Sequence, residues 1–110
     1  METVKIITYC TDARREPFTD WFVDLEVKTQ SIVLERLARI RDGNFGACKP
    51  LKGYAGVYEL VIDHGPGYRV YYGKRGNTVV ILLIGGEKRS QTRDIEKAYR
   101  YWLDYKESKS

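Results

Sequence analysis

The fold is decided by three apolar runs in the second half of the chain, Val57-Tyr-Glu-Leu-Val-Ile62, Tyr68-Arg-Val-Tyr-Tyr72 and Val79-Val-Ile-Leu-Leu-Ile84. The first two alternate with a period of two, which is typical of strands whose successive side chains point to opposite faces. The turn sequence His64-Gly-Pro-Gly67 joins them into a hairpin, which we expect to be exposed. The third run is apolar on both faces and predicts a central strand. Together the runs predict an antiparallel meander.

Segments whose apolar residues have the spacing of a helix precede and follow this meander in the sequence. A first strand near Val4 to Tyr9 precedes a helix that begins at Pro17, and a second helix should run from Lys28 to Asp42. A third helix should begin after Thr92 and reach about Tyr105, with the last five residues frayed. The predicted order is β-α-α-β-β-β-α. We therefore predict an α+β fold with one antiparallel sheet and helices packed over one face.

Composition limits what the protein can be. Its 110 residues suffice for one domain, which we take as 1–110. No stretch approaches the ~18 consecutive apolar residues of a membrane span, and no signal-peptide pattern opens the chain, so we expect a cytoplasmic protein without membrane contact. Cys10 and Cys48 lack metal-ligand spacing, and His64 is the only histidine. We expect no metal and no cofactor, and two-histidine ribonuclease chemistry is excluded.

Positive charge is concentrated after the first helix. Residues 1–30 carry four basic and six acidic side chains, whereas residues 31–110 carry fifteen and nine. Arg69 on the hairpin should converge at the rim of the sheet with Lys88 and Arg89, which follow the last strand. Lys52 and Arg93 should lie nearby. Arginine offers a planar fork to two phosphate oxygens and lysine a compact charge, so the cluster predicts an anion site.

Such a cluster suits RNA cleavage, in which negative charge grows on a pentacovalent phosphorus as the 2′-hydroxyl attacks. Tyr71, together with Tyr72, would offer a stacking surface for bases. Plainer interpretations stay open. Arg69 would pair with Glu59 if the register of the hairpin brings them together, the turn cations would serve solubility, the tyrosines would pack in the core, and His64 would be a turn residue.

The strings Gly56-Val-Tyr-Glu-Leu60, Asp63-His-Gly-Pro-Gly-Tyr-Arg-Val-Tyr-Tyr72 and Ile84-Gly-Gly-Glu-Lys-Arg-Ser-Gln91 resemble the RelE/HigB-type toxins. The closest branch is that of the addiction module killer proteins. The resemblance implies the fold described above. It also implies a toxin of a type II toxin-antitoxin system that cleaves mRNA, commonly on the translating ribosome, without a metal. The implied partner is a cognate antitoxin, often a small helix-turn-helix protein of the HigA type.

The resemblance also implies site residues. Arg69 matches an arginine near the scissile phosphate, and Lys88 and Arg89 match the basic pair after the last strand. The positions that match polar or basic family residues are Gln91, Asp94 and Lys52. One departure is Val61, which stands where the family has a basic residue and should share a face with Arg69. Two alternatives therefore remain: a ParE-like inhibitor of DNA gyrase, or a catalytically weakened module that binds RNA or an antitoxin.

Overall fold

Five strands form one sheet in the computed structural model, which describes residues 3–109. The strands lie in the order β1-β5-β4-β3-β2. Their bounds are Lys5–Thr8 for β1, Cys48–Pro50 for β2, Val57–Ile62 for β3, Tyr68–Arg75 for β4 and Val79–Glu87 for β5. The helices are α1 at Pro17–Val23, α2 at Val27–Arg41 and α3 at Gln91–Lys109, the last preceded by a 3₁₀ turn at Lys88–Ser90.

The predicted meander is confirmed by the register of β3, β4 and β5. Val61 lies opposite Arg69 across the hairpin, and Arg69 in turn lies opposite Gly86 of β5. The first strand differs from the prediction, because β1 runs parallel to β5 and pairs Lys5 with Val79. Parallel neighbours need a long connection between them, and the stretch from β1 to β5, which includes α1 and α2, supplies it.

The hairpin is not exposed, because a short strand that the sequence did not reveal covers its outer side. This strand, β2, lies between α2 and β3 in the sequence and pairs antiparallel with β3. Pro50 closes it, which is compatible only with an edge strand, since proline donates no ladder hydrogen bond. As a result β3 is an interior strand, as is β4 between β3 and β5. Residues such as Val57, Leu60 and Val70 on these two strands are buried.

The prediction of helices over one face is wrong, since helices cover both faces of the sheet. On one face α1 and α2 bury Phe18, Val33, Leu37 and Ile40 against apolar side chains of the strands. On the other face α3 buries a second cluster that includes Trp102. The prediction failed because the spacing of apolar residues within a helix shows which side of the helix is buried, not which face of the sheet receives it.

Two glycines let the helices approach the sheet closely. A Cβ atom on Gly73 would lie 2.1 Å from a ring carbon of Trp102, and one on Gly85 would lie 2.2 Å from a ring carbon of Trp21. Each tryptophan therefore sits directly on strand backbone, one on each face of the sheet. The third helix is longer than predicted: it continues to Lys109, so fraying over residues 106–109 is not observed, and Ser110 lies outside the described residues.

Candidate functional site

The sheet face under α3 carries a group of charged side chains at the end where that helix begins. The register places Lys49, Glu59 and Tyr71 side by side on β2, β3 and β4. The neighbouring row holds Val61 and Arg69. Because paired residues of an antiparallel sheet point to the same face, all five side chains lie on one surface. The prediction from the sequence that Val61 shares a face with Arg69 is confirmed.

A buried carboxylate organises this surface. Glu59 is 1% exposed and receives a hydrogen bond from Gln91, whose Nε2 lies 2.9 Å from Glu59 Oε2. Lys49 Nζ lies 3.4 Å from Oε1, and Arg69 Nε lies 3.9 Å from Oε2. A buried charge without partners is strongly unfavourable, so these contacts are what permits a carboxylate at this position. Three elements, β2, β4 and α3, are thereby connected through one side chain.

Arg69 keeps hydrogen-bonding capacity despite this ion pair. Its distance to Glu59 is too long for a hydrogen bond, so the contact is one of charge. Arg69 Nη1 donates to the backbone oxygen of Tyr68 at 3.1 Å, while Nε has no hydrogen-bond partner among the described residues. The plain interpretation that Arg69 pairs with Glu59 is confirmed. The guanidinium therefore has donors that are not used, which an anion-binding arginine requires, but the unpartnered Nε is itself buried.

Gly67 brings Arg69 and Lys88 together. The Lys88 backbone N–H donates to the Gly67 carbonyl at 3.0 Å. A Cβ atom on Gly67 would lie 3.4 Å from Lys88 Cβ and 3.8 Å from Arg69 Nη1. Gly67 also has a φ of 84°, a backbone conformation that other residues rarely adopt. The hairpin turn therefore places the exposed Lys88 next to the guanidinium, as the sequence predicted for this pair.

Arg89 does not join this pair and is turned toward a separate cleft. Its Nε lies 3.1 Å from Glu87 Oε1, and its side chain is largely exposed. Together with Arg93 it lines a cleft at the end of β5, whose other walls include Trp21 and the backbone of Gly86. The predicted convergence of three cations is wrong for Arg89. The reason is the 3₁₀ turn, which separates successive side chains by about 120° and so sends Lys88 and Arg89 in different directions.

Asp94 supports the start of α3 rather than facing solvent. It is 6% exposed and accepts a hydrogen bond of 2.5 Å from Ser90 Oγ. A Cβ atom on Gly86 would lie 1.9 Å from Asp94 Oδ2, so the close approach of helix and strand depends on that glycine. Because Asp94 is buried and bound to Ser90, its carboxylate has little accessible surface for the RNA contact predicted from the sequence. Gln91 is likewise engaged, as the donor to Glu59 described above.

Tyr71 cannot stack on a base, because its side chain is completely buried beneath α3. Tyr72 is buried on the opposite face. Burial raises the pKa of Tyr71, and the nearby carboxylates of Glu59 and Asp94 raise it further. The phenol therefore stays protonated at neutral pH, which excludes it as a phenolate base. Its hydroxyl has no hydrogen-bond partner among the described residues.

The remaining predicted residue, Lys52, is exposed in the turn between β2 and β3. Two residues of the site were not selected from the sequence. Glu59 was considered only as a partner of Arg69, although the alternation along β3 already placed it on the charged face. Lys49 gave no signal, because a strand of three residues is too short to show a period. Within residues 3–109 no group of acidic, histidine or cysteine side chains is arranged to hold a metal ion.

The comparisons with known proteins agree with this architecture. The sequence profile of the family described as "Phage derived protein Gp49-like" matches residues 20–102. The chain belongs to the Gp49-like family. An uncharacterized protein of Haemophilus influenzae is 39% identical to it over 82 residues, which cover 74% of this chain and 81% of that relative.

The fold of this Gp49-like chain is also that of a solved toxin structure. A double mutant of the Escherichia coli toxin RelE in the free state superimposes with a TM-score of 0.64 at 15% sequence identity. The match covers 90% of this chain and 95% of the RelE chain. The predicted α+β, RelE-like fold is thereby confirmed. None of the helices in the described part of the chain is both long and apolar enough to span a bilayer.

Proposed function

We propose that this Gp49-like protein is the toxin of a type II toxin-antitoxin pair and that it cleaves mRNA, on the ribosome and without a metal ion. The observation that carries the proposal is the placement of Arg69. Its guanidinium lies on the sheet face beside the exposed Lys88, with donors left over from its contact with Glu59. The match to the Gp49-like family and to the fold of a RelE toxin supports the same assignment.

The chemistry follows from the charge that develops during cleavage. When an RNA 2′-hydroxyl attacks the adjacent phosphorus, the phosphorane carries more negative charge on its oxygens than the ground state. Arg69 would donate to two of those oxygens through its planar fork, and Lys88 would neutralise charge on the same group or its neighbour. Removing one such donor typically costs a factor of about 10² to 10³ in rate. Glu59 and Gln91 would keep the arginine in place.

The proposal implies two kinds of partner. The mRNA and the ribosome would be the targets, which places the activity in the cytoplasm. A cognate antitoxin would neutralise the toxin, and a helix-turn-helix protein of the HigA type is the expected form. Co-expression of such an antitoxin should therefore restore growth, and the two proteins should purify together.

The decisive experiment is an Arg69→Ala substitution compared with Arg39→Ala. Both arginines form an ion pair with a glutamate, but Arg39 lies on the exposed side of α2, away from the candidate site. Wild-type protein should cut a message on translating ribosomes in the presence of EDTA, and primer extension should map the new 5′ ends. Arg69→Ala should lower the cleavage rate at least about 10²-fold. Arg39→Ala should cut like wild type.

Two further outcomes would redirect the assignment. If wild type leaves ribosome-bound mRNA intact while Val61→Arg cuts it, the natural chain is a weakened nuclease, because the substitution restores a cation opposite Arg69. If neither protein cuts, the nuclease proposal is wrong. Inhibition of gyrase supercoiling by the same preparation would then identify the ParE-like alternative.

A further inference from the structure

Lys49 is a cation on the charged face to which the sequence assigned no role. It lies on β2 directly opposite Glu59, and its Nζ is 3.4 Å from Glu59 Oε1. Its side chain is 66% exposed, whereas the carboxylate it contacts is 1% exposed. The lysine therefore bridges a buried charge and the solvent above the sheet. It lies on the side of Glu59 opposite to Arg69, because β3 separates β2 from β4.

We propose that Lys49 is a further phosphate-binding residue of this face, positioned by Glu59, and that it contacts the RNA backbone together with Arg69. The inference rests on the proposed function, since it names a residue that would bind the same substrate. Both cations contact the same carboxylate and lie on the same face of the sheet. An ammonium has three N–H donors, and a single contact with Glu59 leaves two of them for phosphate oxygens.

The charge balance argues against a purely structural role. Glu59 carries one negative charge, and Arg69 is buried beside it with one positive charge, so that pair is already neutral. Gln91 adds a hydrogen bond without charge. Lys49 is therefore not needed to neutralise Glu59 itself. With the nearby carboxylate of Asp94 counted as well, the cations of this surface, which are Arg69, Lys49 and Lys88, outnumber its carboxylates by one. Exposed cations of this kind supply the salt-dependent part of nucleic-acid binding.

The proposed role of Lys49 can be tested by moving its positive charge to position 61. Val61 is half-buried on β3, directly opposite Arg69, and belongs to the same surface as Lys49. A lysine introduced at position 61 would place an ammonium next to Arg69. The position of this ammonium would not depend on the contact that holds Lys49 beside Glu59. If the surface needs a second cation for phosphate, Val61→Lys should compensate for the loss of Lys49.

The experiment measures binding of a 2′-O-methylated RNA oligonucleotide, which cannot be cleaved, by fluorescence anisotropy over a range of salt concentrations. Lys49→Met is compared with Lys28→Met, since Lys28 is an exposed lysine of α2 on the opposite side of the sheet. Each phosphate contact on a single strand contributes about 0.7 to the slope of log affinity against log salt. Lys49→Met should lower the slope by about 0.7 and weaken binding roughly tenfold at low salt.

Lys28→Met should leave both quantities unchanged, and Lys49→Met/Val61→Lys should restore the slope. If Lys49→Met binds like Lys28→Met, the inference is overturned. A Lys49→Met protein that fails to melt cooperatively is replaced by Lys49→Gln, which keeps a polar contact with Glu59 and gives the same expected slope.

Ribosome-dependent cleavage separates the two proposals. A wild-type protein that cuts mRNA, with an equally active Lys49→Met variant and an unchanged salt slope, contradicts only the role of Lys49. A wild-type protein that neither cuts mRNA nor binds the oligonucleotide contradicts the proposed function and this inference together.

Discussion

The sheet face under α1 and α2 is apolar over the area that the helices cover, whereas the face under α3 is apolar at one end and charged at the other. On the first face the strands bury aliphatic or aromatic side chains, among them Leu60, Ile62 and Val70. On the second face Trp102 and its neighbours form a compact cluster. At the end of this face where α3 begins, the same strands instead carry the charged side chains of Glu59 and Arg69.

The difference follows from where α3 meets the sheet. The helix begins at Gln91, directly after the 3₁₀ turn that follows β5, and crosses the sheet toward Gly73 and Trp102. At the strand ends near Gln91 the ammonium-bearing side chain of Lys49 therefore stays exposed, whereas Glu59 and Arg69 are buried. One face mainly stabilises the fold, while the other combines a core with a surface for charged ligands. Substitutions on the first face should consequently lower mainly the free energy of unfolding, whereas substitutions on the second face should also affect ligand binding.

The largest effect on stability is expected from Ile40→Ala, on the apolar face. Ile40 is 1% exposed, and deletion of its side chain should lower the free energy of unfolding by about 2–5 kcal/mol through lost burial and a residual cavity. Val61→Ala, on the charged face, removes a half-buried side chain and should cost under about 1 kcal/mol. Urea denaturation of both variants measures the contrast. Equal losses would mean that the two faces do not differ as described.

A smaller effect is expected from Glu59→Gln, which keeps the shape of the side chain and removes its charge. The buried contacts with Lys49 and Arg69 would be weakened, so the free energy of unfolding should fall by about 1.5–3 kcal/mol. Glu87→Gln is the matched control, because Glu87 also contacts an arginine, Arg89, but in an exposed ion pair. That change should cost less than about 1 kcal/mol. A larger loss at Glu87 would contradict the role assigned to Glu59.

Sequence periodicity was sufficient for the central part of the fold and insufficient at its edges. The alternation in β3 and β4 correctly assigned Leu60 and Val70 to one face, and Glu59 and Arg69 to the other. Apolar runs and turn sequences predict the meander, because its strands follow one another in the sequence and each contacts the next. The parallel pairing of β1, the short strand β2 and the face covered by α3 depend on contacts between distant segments. A periodic pattern within one segment contains no information about such contacts.

The candidate site shows the same division. The neighbourhood of Arg69 and Lys88 followed from a turn and a register that the sequence signals directly. Arg89 was placed wrongly, because the direction of a side chain in a 3₁₀ turn depends on a geometry that composition does not reveal. Lys49 was missed, since its strand is defined only by pairing with β3. Burial of Tyr71 depends on α3, which lies twenty positions later in the chain and gives no local signal.

The smallest effect is expected from Tyr71→Phe, and it tests where the apolar and charged ends of the α3 face meet. The Tyr71 hydroxyl is buried without a hydrogen-bond partner among the described residues, so its removal should leave the free energy of unfolding unchanged or raise it by up to about 1 kcal/mol. Tyr9→Phe is the control within the same core, because the Tyr9 hydroxyl donates to Asp104 at 2.5 Å.

Loss of the hydrogen bond to Asp104 should cost about 1–2 kcal/mol, so the two substitutions, which remove the same atom, should differ in sign or clearly in size. Mapped cleavage by Tyr71→Phe should match wild type, because a side chain with 0% exposure cannot contact RNA. A variant that folds normally but cuts poorly would show that the hydroxyl reaches the substrate. In that case α3 must move away from the sheet before cleavage, and the charged surface would extend further under the helix than its present burial indicates.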